Sequence, residues 1–391
     1  MRLITACLAA ALLPIAARAQ PPAEEWQSCT KIVDGVQRLA CFDAWSKAQR
    51  APAAEIAAPA TPPGEPAPAS AAAAPASAPA TPTTTTTIAE TQAPPPRRGL
   101  RLTQSEGCRD TRYSELSRYW ELEPGADCGT FGLRGFRPTS LDLAVGSSIN
   151  PLPTSPNPEN NATTPHDFRT TETRLQVSIR TKLAQGLLAA RENGLDSLWF
   201  AYTQQSYWQL FSPGLSRPFR STDHEPEFIY VAPLQPAKAG EWRLRFGGLG
   251  IVHQSNGQSL PLSRSWNRVY LLAGAEHDRL QLHARIWHRL HEDPANDDNP
   301  DITDFIGRGE LVATWHQSRT NLFSATARHS LRSPGRGSLR LEWFRTLADP
   351  GEGPPSGLQL HTELFTGYGD TLLEYNHKRT VFSVGLSLVE W

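Results

Sequence analysis

Downstream of Ala19 the chain lacks any run of about 18 apolar residues, so no helix of this sequence can span a bilayer. Crossing a membrane would then require a closed barrel, the other structure that pairs every backbone N–H and C=O. An imbalance of charge is also missing: 38 Lys and Arg stand against 39 Asp and Glu, net -1, with no basic cluster to form an electrostatic footprint for nucleic acid. No pair of cysteines shows the C-x-x-C spacing of a metal site. No G-x-S-x-G nucleophile elbow is present, which removes the α/β-hydrolase route to ester chemistry.

What is present at the start is a positive residue, Arg2, an apolar stretch from Leu3 to Ala16, and the small-residue pattern Ala17, Arg18, Ala19. This predicts a signal peptide over 1–19, cleaved before Gln20. No cysteine follows that site, which argues against a lipoprotein. Four cysteines remain in the exported chain, Cys29, Cys41, Cys108 and Cys128, and an even number in an oxidising compartment reads as disulfides. Of the three connectivities, Cys29 with Cys41 and Cys108 with Cys128 are favoured because each pair shares a local segment. A straight helix would hold Cys29 and Cys41 about 18 Å apart, so the first pairing needs a bend, which Asp34 and Gly35 can supply. Residues 20–50 then form a small periplasmic cysteine-containing module. Residues 51–98, dominated by Ala, Pro and Thr, cannot bury enough apolar surface to offset chain entropy and read as a disordered linker. Residues 99–137 form an N-terminal segment leading into the next domain.

From 138 to 391 the pattern is apolar–polar alternation broken by turn residues, repeated about twelve times. Strands are expected near 138–147, 172–184, 196–210, 225–234, 242–253, 264–274, 278–289, 308–318, 320–330, 337–346, 357–366 and 381–391. The fold class is therefore all-β, a twelve-stranded antiparallel transmembrane barrel in the outer membrane. A soluble β-sandwich would alternate as well. In the third strand Leu198, Phe200, Tyr202, Trp208 and Leu210 share a presumed lipid face, with Thr203, Gln205 and Gln209 on the lumen face. The last strand alternates through Phe382, Val384, Leu386 and Leu388 and closes on Trp391, out of phase with them.

The residues that carry chemistry lie at 250–268. His253 and Ser255 stand two apart, so on a strand they point the same way about 6.6 Å apart along its axis. If the chain returns as the antiparallel neighbour, Asn267 comes opposite His253, where cross-strand Cβ atoms lie about 5 Å apart. That is the logic of nucleophile, base and orienter: Ser255 attacks, His253 removes its proton, and Asn267 fixes the imidazole tautomer. Parity sharpens the expectation. Leu249 and Ile251 share a face with His253 and Ser255, and Val269, Leu271 and Ala273 share one with Asn267, so the three should face lipid. An uncharged orienter suits that address, where a carboxylate is costly.

At His253 to Gly257 (HQSNG) and Ser263 to Arg268 (SRSWNR) the sequence closely resembles the bacterial outer membrane phospholipase A (phospholipase A1) family. The likeness extends through 201–204 (AYTQ), 218–220 (PFR), 225–226 (EP), 297–303 (DDNPDIT), 367–369 (GYG) and 374–376 (EYN), covering roughly 110 to 391 and leaving out the linker and the cysteine module. The resemblance implies a twelve-stranded barrel, activity as a homodimer, calcium dependence, and hydrolysis of phospholipid and lysophospholipid acyl esters. It makes Ser255 the nucleophile, His253 the base and Asn267 its partner, with the Gly257 amide helping to hold the oxyanion. For Ca2+ it implies the Ser263 hydroxyl, the Gln258 carbonyl, the Ser216 carbonyl from a second subunit, and Asp298, hard oxygen ligands of the kind this ion takes. It also places Gln204, whose amide would be costly to leave unpaired among Phe200, Tyr202 and Trp208, at the dimer interface. Two positions depart from a well-known member: Gln258 replaces a basic residue and Leu260 an acidic one, which puts a water-mediated calcium contact in doubt. A catalytically idle pore or structural barrel is the competing reading.

Overall fold

The computed structural model describes residues 25–49, 106–188, 195–215, 219–239, 242–347 and 357–388. The chain divides into two units, 1–86 and 87–391. In the first, α1 (Glu25–Thr30) and α2 (Gly35–Gln49) are separated by a turn at 31–34, and the Cys29–Cys41 disulfide brings its Cα atoms to 5.6 Å. The bend needed by that pairing is therefore made just before Gly35.

Among its described residues the second unit holds thirteen strands: β1 (Arg134–Gly135), β2 (Thr139–Gly146), β3 (Thr171–Gln185), β4 (Ser197–Trp208), β5 (Phe219–Ala239), β6 (Trp242–Ser255), β7 (Ser265–His277), β8 (Leu280–Arg289), β9 (Gly309–His316), β10 (Asn321–His329), β11 (Gly337–Thr346), β12 (Leu358–Gly367) and β13 (Arg379–Leu388). From β2 to β13 each pairs antiparallel with the next, and β13 pairs back to β2, closing a twelve-stranded barrel. The two-residue β1 adds only to β3. Among the described residues no helix is long and apolar enough to cross a membrane.

Alternation decides what each wall faces. Leu141, Leu143 and Val145 on β2, Leu249 and Ile251 on β6, Val269 and Leu271 on β7, and Phe382, Val384 and Leu386 on β13 expose between 38% and 63% of their surface. An apolar belt left open on the outer wall is what a lipid-facing barrel presents, and it excludes the sandwich, whose apolar face would be covered. The second unit is a closed β-barrel of the kind that crosses a membrane with strands. The inner wall is not simply polar, however: Trp199, Ala201 and Tyr207 of β4 are buried there beside Thr203. Leu210 and Gln209 lie past the end of β4, and Gln209 turns inward to Glu172. The fourth expected strand is longer at both ends than its alternation suggested. Trp391 falls outside the described residues.

The aromatic inner face is explained by a plug. Residues 107–133 fold into one end of the barrel around α3 (Glu115–Trp120), which is capped by Ser114 and ends at Glu121 in the left-handed region, φ 53°. Trp120 packs against Trp199 and Phe246, and Arg180 lies over the Tyr119 ring at 3.4 Å. Lys182 reaches Glu121 at 2.5 Å and Asp127 at 2.6 Å, and Arg245 reaches Glu123 at 2.5 Å. The Cys108–Cys128 disulfide pins the segment to itself. At the other end Arg220 bridges Glu172 and Glu374, and Arg379 joins Glu374. A cavity remains between, lined by Tyr119 of the plug, Asp223, Arg285, Glu310, Arg340 and Asp370. Closing a loop with a sequence separation of 20 stabilises by about 3 kcal/mol through the unfolded state. Replacing Cys108 and Cys128 together by Ser should therefore lower the midpoint of thermal unfolding in detergent by several degrees, followed by circular dichroism; an unchanged midpoint would mean that the ion pairs of Lys182 and Arg245 hold the plug unaided.

Candidate active site

β6 and β7 pair in a register that sets His253 opposite Asn267 and Ser255 opposite Ser265. The His253 imidazole is exposed on the outer wall, and its Nδ1 lies 2.9 Å from Asn267 Oδ1. Ser255, two residues on, is half-buried on the same face; among the described residues its hydroxyl makes no hydrogen bond. The hydroxyl is thus free to meet an incoming group, and apo sites commonly tighten only when substrate arrives. Leu249, Ile251, Val269 and Leu271 continue this face into the apolar belt. On the inner side Gly250 leaves room for Tyr270, since a Cβ there would sit 2.3 Å from the ring, and the Tyr270 hydroxyl donates to Glu227 at 2.5 Å.

The same register carries a polar row across four strands. Gln204 of β4 faces His224 of β5, and His224 faces Ser255. The Tyr202 hydroxyl lies 2.7 Å from His224 Nδ1 and 3.1 Å from Gln204 Oε1, and Gln204 Nε2 donates to Ser206 at 3.2 Å. The Gln204 amide therefore has partners within its own chain, so the expense of an unpaired amide does not by itself demand a second subunit. His224 has no counterpart in the sequence reading. It precedes the expected start of its strand, so no face could be assigned to it, yet its ring lies 3.7 Å from where a Cβ on Gly257 would be.

Past Ser255 the chain turns at Gly257, whose φ of +60° favours glycine. The connection 256–264 is tied at both ends. Asn256 Oδ1 accepts from the Arg264 amide at 2.9 Å and its Nδ2 donates to Leu262 O at 2.8 Å. The buried Arg264 guanidinium donates to Ser263 O at 2.7 Å and to Asn160 O at 2.9 Å. Burial pushes its pKa below the usual value, partly countered by Tyr375, Asp298 and Asp301. Gln258 Nε2 donates to Arg220 O at 3.2 Å.

Ser263 and Asp298, far apart in sequence, meet here: Ser263 Oγ donates to Asp298 Oδ2 at 2.7 Å and Ser265 Oγ to the same oxygen at 3.2 Å. Asn160, from the connection between β2 and β3, donates to Asp298 Oδ1 at 3.0 Å, and its own Oδ1 is buried with no partner among the described residues. A carboxylate, two hydroxyls and an orphaned amide oxygen form a donor set that fits a hard cation such as calcium. Nothing in the sequence singled out Asn160, because its neighbourhood is made by loops from three separate connections. Ser216 falls outside the described residues.

A closed barrel with an apolar belt and a polar constellation open to that belt defines a membrane β-barrel with a candidate site on its outer wall. The chain belongs to the phospholipase A1 family, carboxylic ester hydrolases, whose profile matches residues 116–388. It is 32% identical over 367 residues to a relative from Neisseria meningitidis serogroup B, covering 92% of this chain and 89% of that protein. It is 33% identical over 220 residues to the phospholipase A1 of Escherichia coli K12, covering 56% and 70%. The outer membrane phospholipase A of Escherichia coli superposes with a TM-score of 0.56 at 28% identity over 66% of this chain and 93% of that one. The Salmonella typhi outer membrane phospholipase, a dimer with bound calcium, superposes with a TM-score of 0.57 at 28% identity and the same coverage. At 92% coverage the Neisseria likeness reaches well upstream of residue 110, farther than the motifs alone suggested.

Because the Asp298 carboxylate gathers donors from two other connections and from β7, Asp298→Ala should loosen residues 256–264 while leaving the barrel closed. A broad-specificity protease should then cut this loop faster in detergent, while heat-modifiable gel migration stays native; equal cutting rates would assign the loop's order to Asn256 and Arg264 alone.

Proposed function

We propose that the protein hydrolyses acyl esters of phospholipids and lysophospholipids in the outer membrane, with Ser255 as nucleophile, His253 as general base and Asn267 as orienter, and that it does so as a calcium-dependent homodimer. The observation that carries this reading is the His253–Asn267 contact, 2.9 Å long, opening on the same face as Leu249, Ile251, Val269 and Leu271. A lipid ester lying in the membrane meets that face directly.

With Asn267 Oδ1 accepting from Nδ1–H, the lone pair of His253 is left on Nε2, the nitrogen that takes the Ser255 proton as Oγ attacks the acyl carbonyl. The same nitrogen then protonates the departing alcohol, leaving an acyl enzyme that water opens by the reverse sequence. The Gly257 amide is assigned to the developing oxyanion, where a fixed donor acts in a site of low dielectric. Calcium, when bound, supplies positive charge at that oxyanion. Ser263, Asp298 and the Gln258 carbonyl are the ligands assigned within the chain, and the Ser216 carbonyl the one given by the partner subunit. Gln204 is assigned to the dimer contact, and the small module at 20–50 to the periplasm.

The lumen speaks against an idle pore, since a plug fills one end and the Arg220, Glu172, Glu374 and Arg379 cluster crosses the other. Purified in detergent, the protein should release fatty acid with calcium and stop when the metal is chelated. Ser255→Ala should lower kcat by about a thousandfold or more; a fully active Ser255→Ala variant would remove the assigned nucleophile.

A further inference from the structure

The Asn267 amide has two ends. Its Oδ1 faces His253, and its Nδ2 donates to Glu292 Oε1 at 3.3 Å. Glu292 comes from the connection between β8 and β9, where Arg289 lies 3.9 Å from its carboxylate and is itself held by Asp297 at 2.6 Å. A carboxamide is nearly symmetric in shape, so packing alone cannot tell its oxygen from its nitrogen. Turned over, it would present N–H to His253, hold Nδ1 unprotonated and place the ring proton on Nε2, where it blocks the base. An ionised carboxylate only accepts hydrogen bonds, so Glu292 gives the amide one sense: nitrogen toward the loop, oxygen toward the imidazole.

We infer that Glu292 is a positioning residue for the reaction, setting the flip of the Asn267 amide and through it the tautomer of His253; this rests on the catalytic reading given above. The arrangement keeps charge off the lipid-facing strand and supplies a carboxylate from the loop beyond it, one residue removed from the ring. An aspartate at 267 would need no such help, having no amide to turn over.

The test is steady-state hydrolysis by the full chain in detergent with calcium, comparing Glu292→Ala, Glu292→Gln, Asn267→Ala, Asn267→Asp and the Asn267→Asp/Glu292→Ala double variant. Glu292→Ala should lower kcat about five- to tenfold with KM held within about twofold, the scale of one hydrogen bond. Glu292→Gln should stay lowered, because its carboxamide donates as well as accepts and so no longer imposes one sense on the Asn267 amide. In the Asn267→Asp background the removal of Glu292 should cost no activity, since no amide is left to orient and two carboxylates no longer repel. An unchanged kcat in Glu292→Ala beside a damaged Asn267→Ala overturns the role of Glu292 alone, as does an equal loss in both backgrounds or full activity in Glu292→Gln. Full activity in Asn267→Ala overturns the catalytic reading itself, and this role with it.

Discussion

The backbone of a chain in lipid has no water to bond, and everything else in this protein follows from how its N–H and C=O groups are paired. Without a long apolar helix, the pairing must run from strand to strand and close on itself, which it does where β13 meets β2. Closure fixes parity: each strand must send alternate side chains to lipid. His253 and Ser255 fall on the outward phase of β6 together with Leu249 and Ile251, so the proposed site faces the bilayer because the ladder leaves it no other wall. Had the register slipped by one residue, the same side chains would face the lumen.

A site on the outer wall is constrained in its choice of groups. A charge next to the acyl chains is costly, and the orienter proposed on β7 is an amide. Charge is held back from the wall, in the loops that rise beyond the strands. Arg264 binds the loop carbonyls from within, while Asp298 collects Asn160, Ser263 and Ser265. The site is therefore layered, with neutral polar groups on the strands and ionised groups on the connections.

Inside, the barrel solves a different problem. Arg174 with Asp142 and Glu363, and Arg220 with Glu172 and Glu374, are ion pairs taken out of water, stable only because each charge has several partners. The plug completes this packing by supplying Glu121 and Asp127 to Lys182 and an aromatic cluster to Arg180. A stiff, filled interior gives β6 and β7 a fixed backing against which an exposed imidazole can be held in one orientation.

The strands were legible because alternation under a lipid face is strict, and errors came where it fails. β5 begins at Phe219, before its expected start at 225, since the polar stretch Ser221 to His224 carries no apolar–polar alternation; the ladder to β6 skips Glu225 and Pro226, and Pro226 has no N–H to give. The plug carries no periodicity to read, because its partners lie on β3, β4 and β6. Asn160, His224 and Glu292 went unnoticed for the same reason.

By itself the sequence determined the barrel class, the outward phase of His253, Ser255 and Asn267, and the pairing of the cysteines, all set by neighbours within a strand, a hairpin or a short segment. Only the tertiary structure decided what fills the lumen, which donors surround Asp298 and which group meets the far end of the Asn267 amide. Those contacts join residues tens to hundreds of positions apart, and local periodicity holds no record of which distant loops a closing barrel brings together.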